Sequence, residues 1–174
     1  AWYIVPDRLD KAAATIQLFE KFRADFPDLP GKVIGVVQGE TMREIEDCYK
    51  FMQSSCDMVA LSMDSAVNPG VGGRAQTLKA LLSKGLINPH KRHHLLGVQR
   101  PQEIKEYHNW PWIYSVDTSN PIVHGIAGME YSPEGSLDVK LSLKLCDLVN
   151  HNVTDKEWDT IKTNIDHFRR NANE

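Results

Sequence analysis

Long apolar runs are missing from this sequence. No stretch approaches the roughly 20 residues that a bilayer span needs, and no basic segment runs into an apolar one as in a secretory leader, so no membrane association is expected. Cysteine is scarce and unpatterned: Cys48, Cys56 and Cys146 are odd in number and far apart. They make neither a disulfide framework nor a CxxC pair. They read first as small core residues and second as reactive thiols, and they fit a reducing cytoplasm. The seven histidines show no HExxH or other ligand spacing, so no metal is expected. A net charge of −3 leaves no global positive field to draw the protein onto nucleic acid. The local basic clusters Lys91-Arg92-His93-His94 and Arg169-Arg170 read as solvated helix ends or loops. Neither dinucleotide-binding nor P-loop glycine spacing occurs, and no cofactor is expected.

What is present is an alternation. Trp2 to Val5 is a short β-favouring run stopped by Pro6-Asp7. Residues 11–26 then set Thr15, Leu18, Phe19, Phe22 and Phe26 at steps of three and four, the spacing of an amphipathic helix. Val33 to Val37 is continuously apolar, as a strand buried on both faces reads. Thr41 and Glu44 form a capping box for a helix over 41–55. Met58 to Met63 reads as the third strand. Asn68 to Gly73, rich in glycine, leads into a helix over 74–84. His94 to Val98 reads as the fourth strand, and Pro101 opens the next helix. Trp112 to Val116 is the fifth strand. Beyond residue 125 the pattern loosens: residues 137–150 read as a helix or an irregular arm. A last helix runs from Thr154 to Arg170, with Thr154 and Glu157 as its capping box and Trp158, Ile161, Ile165 and Phe168 as its core stripe.

Strands alternating with helices at this spacing predict βαβ units and a parallel sheet. Two architectures suit five strands: an open doubly wound sheet, or a segment of an eight-stranded barrel, which usually needs ~250 residues. The chain starts at Ala1 without methionine and enters a strand at once, which predicts a processed start or a piece of a longer chain. The expectation is a partial or trimmed parallel (β/α) barrel of the TIM type over residues 1–128. Residues 129–174 are then a C-terminal helical extension packed on the same domain.

In either architecture ligands gather at the carboxyl ends of the strands. Those ends carry Asp7, Gln38-Gly39, Asp64, Gln99-Arg100 and the run Asp117-Thr118-Ser119-Asn120. Each has a plain alternative: Asp64 as a helix N-cap, Asp117 as a satisfied turn aspartate. Gln38 is the sharpest, a polar side chain closing a five-residue apolar strand, with Gly39 able to let a ligand approach the backbone. Arg74, at the helix start after the glycine loop, is the candidate phosphate contact there, although a plain loop is the commoner reading of such glycines.

Several of these segments together resemble the tRNA-guanine transglycosylase superfamily, barrel enzymes that exchange guanine for a 7-deazaguanine. Val36-Val37-Gln38-Gly39 is similar to that family's strand-end VQG. Leu95 to Val98, with Pro101 and Glu103, is similar to its LMGVGTPED stretch. Asp117 in YSVDTS ends the next strand as the family's nucleophile does, and Trp2 to Asp7 fits the strand carrying its second aspartate. The order agrees over roughly residues 1–125. The zinc-binding CxCxxC…H pattern is absent, the family's glycine pair is replaced by Leu61-Ser62-Met63-Asp64, and Asp117 is not followed by PTRNARNG. The resemblance is therefore to a divergent, phage-type relative.

The resemblance implies a base-exchange enzyme acting on a nucleotide or nucleic acid, DNA or tRNA. Asp117 would be the nucleophile and Asp7 the proton shuttle. Gln38, Gly39, Asp64, Ser119 and Arg74 would contact the purine or 7-deazaguanine nucleotide. Two alternatives stand beside it: a barrel lyase or aldolase, and a non-catalytic barrel serving as a binding module. The first would want a Schiff-base lysine or a metal at a strand end, whereas Lys32 and Lys91 precede strands and Lys105 lies on a helix.

Overall fold

In the computed structural model, strand and helix alternate along the chain as the apolar pattern predicts. The structure describes residues 1–8, 11–62, 73–132, 141 and 145–173. Contacts divide the chain into two units, Ala1–Leu96 with Pro111–Val116, and Gly97–Trp110 with Asp117–Glu174.

The first unit holds a five-stranded parallel sheet: β1 (Trp2–Ile4), β2 (Lys32–Val37), β3 (Met58–Ser62), β4 (Arg92–Leu96) and β5 (Ile113–Val116). The strands lie side by side in chain order. A doubly wound sheet reverses its order at a switch point; the described strands do not. Every residue of β3, and all of β2 after Lys32, is buried, which accounts for their unbroken apolar runs. On one sheet face Ile34, Val36, Met58 and Ala60 form a cluster joined by Leu96.

Helices α1 (Ala12–Asp25), α2 (Met42–Ser55) and α3 (Arg74–Ser83) complete this unit. α2 begins with the expected capping box: Thr41 Oγ1 accepts from Glu44 N–H, and the Glu44 carboxylate accepts from Thr41 N–H. Backbone N–H groups of Glu40 and Thr41, both donating to the carboxylate, hold the Glu44 carboxyl below its usual range. α1 and α2 both pack on β2, and Phe19 meets Phe51 edge-on at 5.7 Å.

The fourth strand begins two residues earlier than its apolar pattern predicts. Arg92 and His93 belong to it because His93 is buried against Tyr49 and Trp112, a tertiary environment that apolar periodicity does not register. A register shift between His93 and His94 interrupts its pairing with β5.

The second unit packs α4 (Pro101–Lys105) and α5 (Asn120–Ile126) on α6 (Asp155–Asn173). α5 was not visible as a helix in the apolar pattern. Its Gly125 abuts α6 so closely that a Cβ there would lie 2.3 Å from Ile161 Cγ1 and 2.8 Å from the Ile161 backbone. Asn164 is fully buried and fully used: Oδ1 accepts from Tyr131 N–H at 2.7 Å, while Nδ2 donates to Met129 O at 2.9 Å and Pro121 O at 3.4 Å. The capping box of Thr154 and Glu157 forms as expected. Of the expected core stripe, Ile161 and Phe168 are buried, but Trp158 is 51% exposed. α6 has 19 residues, about 28 Å of helix, and its partners have seven and five, about 10 and 8 Å, too short to cover its whole length. A three-residue step along α6 puts Asn164 and Asn171 at core positions instead.

Among the described residues, no helix is long and apolar enough to cross a membrane.

Candidate functional site

Two of the residues singled out at strand ends are in direct contact. β1 and β2 are parallel neighbours, so Asp7 and Gln38, 31 positions apart in the chain, both follow carboxyl ends on the same side of the sheet. Gln38 Nε2 donates to Asp7 Oδ2 at 2.6 Å. Strand alternation gives Gln38 the face of Ile34 and Val36, and it is 1% exposed, whereas Asp7 is exposed.

That contact decides which way round the Gln38 amide sits. An ionised carboxylate accepts hydrogen bonds and cannot donate, so the NH₂ end must face Asp7 and the carbonyl end must point away. Gln38 Oε1 is buried and, among the described residues, has no hydrogen-bond partner. A buried acceptor left unmet costs about 1–3 kcal/mol, which singles out Gln38 Oε1 as a group a ligand could satisfy.

Gly39 follows with a structural explanation of its own. A Cβ at this residue would come within 2.8 Å of Ile45 N and 3.0 Å of Glu44 Cβ, so its backbone lies against the first turn of α2. The lack of a side chain is required by the helix packing, with no ligand needed to explain it.

Arg74 is also accounted for by structure. It is 2% exposed, and its Nη1 donates to the carbonyl oxygens of Leu61 (3.2 Å) and Leu96, near the carboxyl ends of β3 and β4. The guanidinium Nη1 therefore clamps strand ends. Asp64 and Gly70 to Gly72 lie outside the described residues.

In the second unit, Asp117 immediately follows β5 in the chain. It is exposed; its Oδ1 accepts from Gly97 N–H at 3.0 Å, and its main-chain carbonyl accepts from Val98 N–H at 2.9 Å. Ser119 is the N-cap residue of α5, with no capping bond from its side chain; its carbonyl accepts from Ile122 and Val123 N–H, both at 3.1 Å. Thr118 Oγ1 accepts from Asn120 N–H at 3.1 Å, and Asn120 Nδ2 donates to Gln99 O. The polar run is thus a hydrogen-bonded turn.

The other reactive groups are differently employed. Cys48 and Cys56 are buried, and burial pushes the Cys48 thiol up to about 11 and raises that of Cys56, so neither supplies a thiolate near neutral pH; Cys146 is exposed. His93 is fully buried, its Nε2 2.7 Å from Tyr49 Oη and its Nδ1 2.8 Å from Lys91 O. Sequence reasoning also passed over a cross-strand pair, His94 Nδ1 and Ser115 Oγ at 2.8 Å. The late start assigned to the fourth strand put His94 at the wrong end of the sheet, and the bulge that sets it opposite Ser115 leaves no sequence signal. No group of three or more His, Cys, Asp or Glu side chains among the described residues could hold a metal ion.

The sequence matches no protein-family model and no curated protein.

Proposed function

We propose that the chain is part of a parallel (β/α) barrel of the nucleobase transglycosylase kind, exchanging guanine for a 7-deazaguanine in a nucleotide or nucleic acid. The observation that carries this reading is the Asp7–Gln38 pair: a carboxylate bonded to a buried amide whose carbonyl has no partner among the described residues, at the carboxyl ends of adjacent parallel strands. Parallel α/β sheets bind ligands at that end. The uninterrupted strand order supports a barrel over a doubly wound sheet.

The chemistry follows from the carboxylates. The Asp117 carboxylate attacks C1′ of the nucleotide; the C1′–N9 bond breaks, and its electron pair leaves with guanine. Guanine departs as its anion and takes a proton from water; the ionised Asp7 accepts the N–H proton of the incoming base, whose nitrogen then displaces Asp117 from C1′, and returns that proton to water. Two inversions give retention, as in retaining glycosidases. The bond from Gly97 N–H keeps the Asp117 carboxylate in one orientation, which suits a nucleophile that must approach in line. Of the other proposed contacts, Gly39 and Ser119 offer backbone groups and Asp64 a carboxylate; Arg74 acts through the strand ends it clamps. A Schiff-base lyase would need a lysine at a carboxyl end, and Lys32 opens β2 while Lys91 precedes β4. The cytoplasm, where nucleic acid and free bases meet, suits the activity.

The test is incorporation of radiolabelled guanine into DNA and tRNA. Asp117→Asn is expected to abolish exchange while leaving the melting temperature unchanged, because Asn still accepts from Gly97 N–H. Exchange at the native rate by this variant would refute the nucleophile.

A further inference from the structure

We infer that Thr15 is the positioning residue of the Asp7–Gln38 site: its buried hydroxyl holds the backbone beside Asp7, so that the carboxylate stays on the Gln38 amide. The inference rests on the reading of that pair as a functional site, and adds the residue that sets its geometry. The periodicity of α1 counts Thr15 with Leu18 and Phe19, and in the fold Thr15 is fully buried. Valine has the same branched shape and would fill such a position with no polar group to satisfy. The hydroxyl is accounted for by what it bonds. Both of its bonds go to the backbone of Arg8, the residue after Asp7: Oγ1 accepts from Arg8 N–H at 2.9 Å and donates to Arg8 O at 3.1 Å. Arg8 O also accepts from Lys11 N–H at 3.0 Å, which ties the same backbone to the N-cap of α1.

The sheet holds the strand as far as Val5, whose N–H donates to Ile34 O at 3.1 Å. Pro6 has no N–H to add, and Asp7 is exposed, so packing does not fix it. Consecutive Cα atoms are about 3.8 Å apart, so a fixed Arg8 backbone leaves Asp7 a narrow range of positions. That range decides the contact: a movement of about 1 Å takes the 2.6 Å bond from Gln38 Nε2 past hydrogen-bond length. One hydroxyl on α1 thus acts through Arg8 and Asp7 on the orientation of Gln38.

The test compares isotope-labelled native protein, Thr15→Val, Thr15→Ser and Asp7→Ala by nuclear magnetic resonance. It reads the side-chain amide signals of Gln38, assigned by their absence from Gln38→Met. In Asp7→Ala these signals lose the shift that a charge-assisted bond gives them. Thr15→Val is expected to move them to the same place although Asp7 is present, and Thr15→Ser, which keeps the hydroxyl, to hold them at the native position. Exchange of radiolabelled guanine should fall at least ~tenfold in Thr15→Val and return in Thr15→Ser. Native signals in a folded Thr15→Val, or no recovery in Thr15→Ser, overturn the inference. Should Thr15→Val not fold, Thr15→Ala is read in its place; failure of both to fold overturns the inference too, since the side chain would then serve the whole unit and not Asp7. Gln38 signals unmoved by Asp7→Ala deny the pair itself and overturn both the inference and the proposed function. The expected signals without any exchange by the native protein uphold the positioning and strike only the transglycosylase chemistry, because the resonances read the geometry without turnover.

Discussion

Acidifying the protein from pH 7 to pH 4 should remove about 3 kcal/mol of stability belonging to one residue, His93. Its ring is fully buried in the first unit, stacked on Tyr49 with centroids 5.7 Å apart and meeting Trp112 edge-on at 4.8 Å. Burial disfavours the imidazolium and lowers the folded-state pKa to about 4, against 6.5 for an ordinary histidine; the nearby Lys91 ammonium acts in the same direction. The unfolded chain therefore takes up a proton near pH 6.5, and the folded one only near pH 4. The stabilisation is fully present above pH 6.5, falls away between 6.5 and 4, and changes no further below. A depression from 6.5 to about 4, at 1.36 kcal/mol per pH unit, gives the figure of about 3 kcal/mol. Proton supply works the other way without reversing it. Tyr49 has one hydroxyl proton and two facing acceptors, Gln53 Oε1 at 2.9 Å and His93 Nε2 at 2.7 Å, so a charged ring would complete the chain of bonds. One bond of that kind contributes about 1 kcal/mol, less than the burial of a charge costs.

The assay is urea unfolding from pH 7.5 to 3.5, followed by tryptophan fluorescence, for the native protein and for His93→Gln. Trp112, in contact with His93, reports on this unit directly. Carboxylates titrate in both proteins and cancel in the difference. The native-minus-variant stability should fall by about 3 kcal/mol across the window between 6.5 and 4. A difference that stays flat there, or that rises as pH falls, would refute the argument.

Two further outcomes separate packing from ligand roles. Gly125→Ala should destabilise the second unit by about 2–3 kcal/mol in a denaturant melt, because the new methyl meets the Ile161 backbone, not just a side chain that can turn away; a neutral result would mean α5 and α6 are not in contact there. Arg74→Met should cost about 2–4 kcal/mol by leaving the Leu61 and Leu96 carbonyls without their donor. Were Arg74 a phosphate contact, stability would hold and only anion binding would weaken.

The elements that could be read in advance were those whose cause is local. β2 and β3 announce themselves because parallel strands covered on both faces tolerate almost nothing polar, and the boxes of Thr41 with Glu44 and Thr154 with Glu157 work across three residues. Gln38 stood out for the same reason, as a polar residue closing an apolar strand. Asp117 could be placed only as the residue after a strand; its bond to Gly97, 20 positions away, could not be anticipated.

Sequence alone thus determined the strand–helix alternation, the helix starts at Thr41, Arg74, Pro101 and Thr154, and the polar residues at strand ends. Tertiary structure decided what those residues do. The Asp7 carboxylate sets the orientation of the Gln38 amide across 31 positions. Two strand-end carbonyls hold the buried Arg74 guanidinium. Trp158 is half-exposed while Asn164 takes a core position. The division has a physical origin: periodicity and capping are interactions between near neighbours in the chain, whereas burial and hydrogen-bond polarity depend on groups that only folding brings within 3 Å.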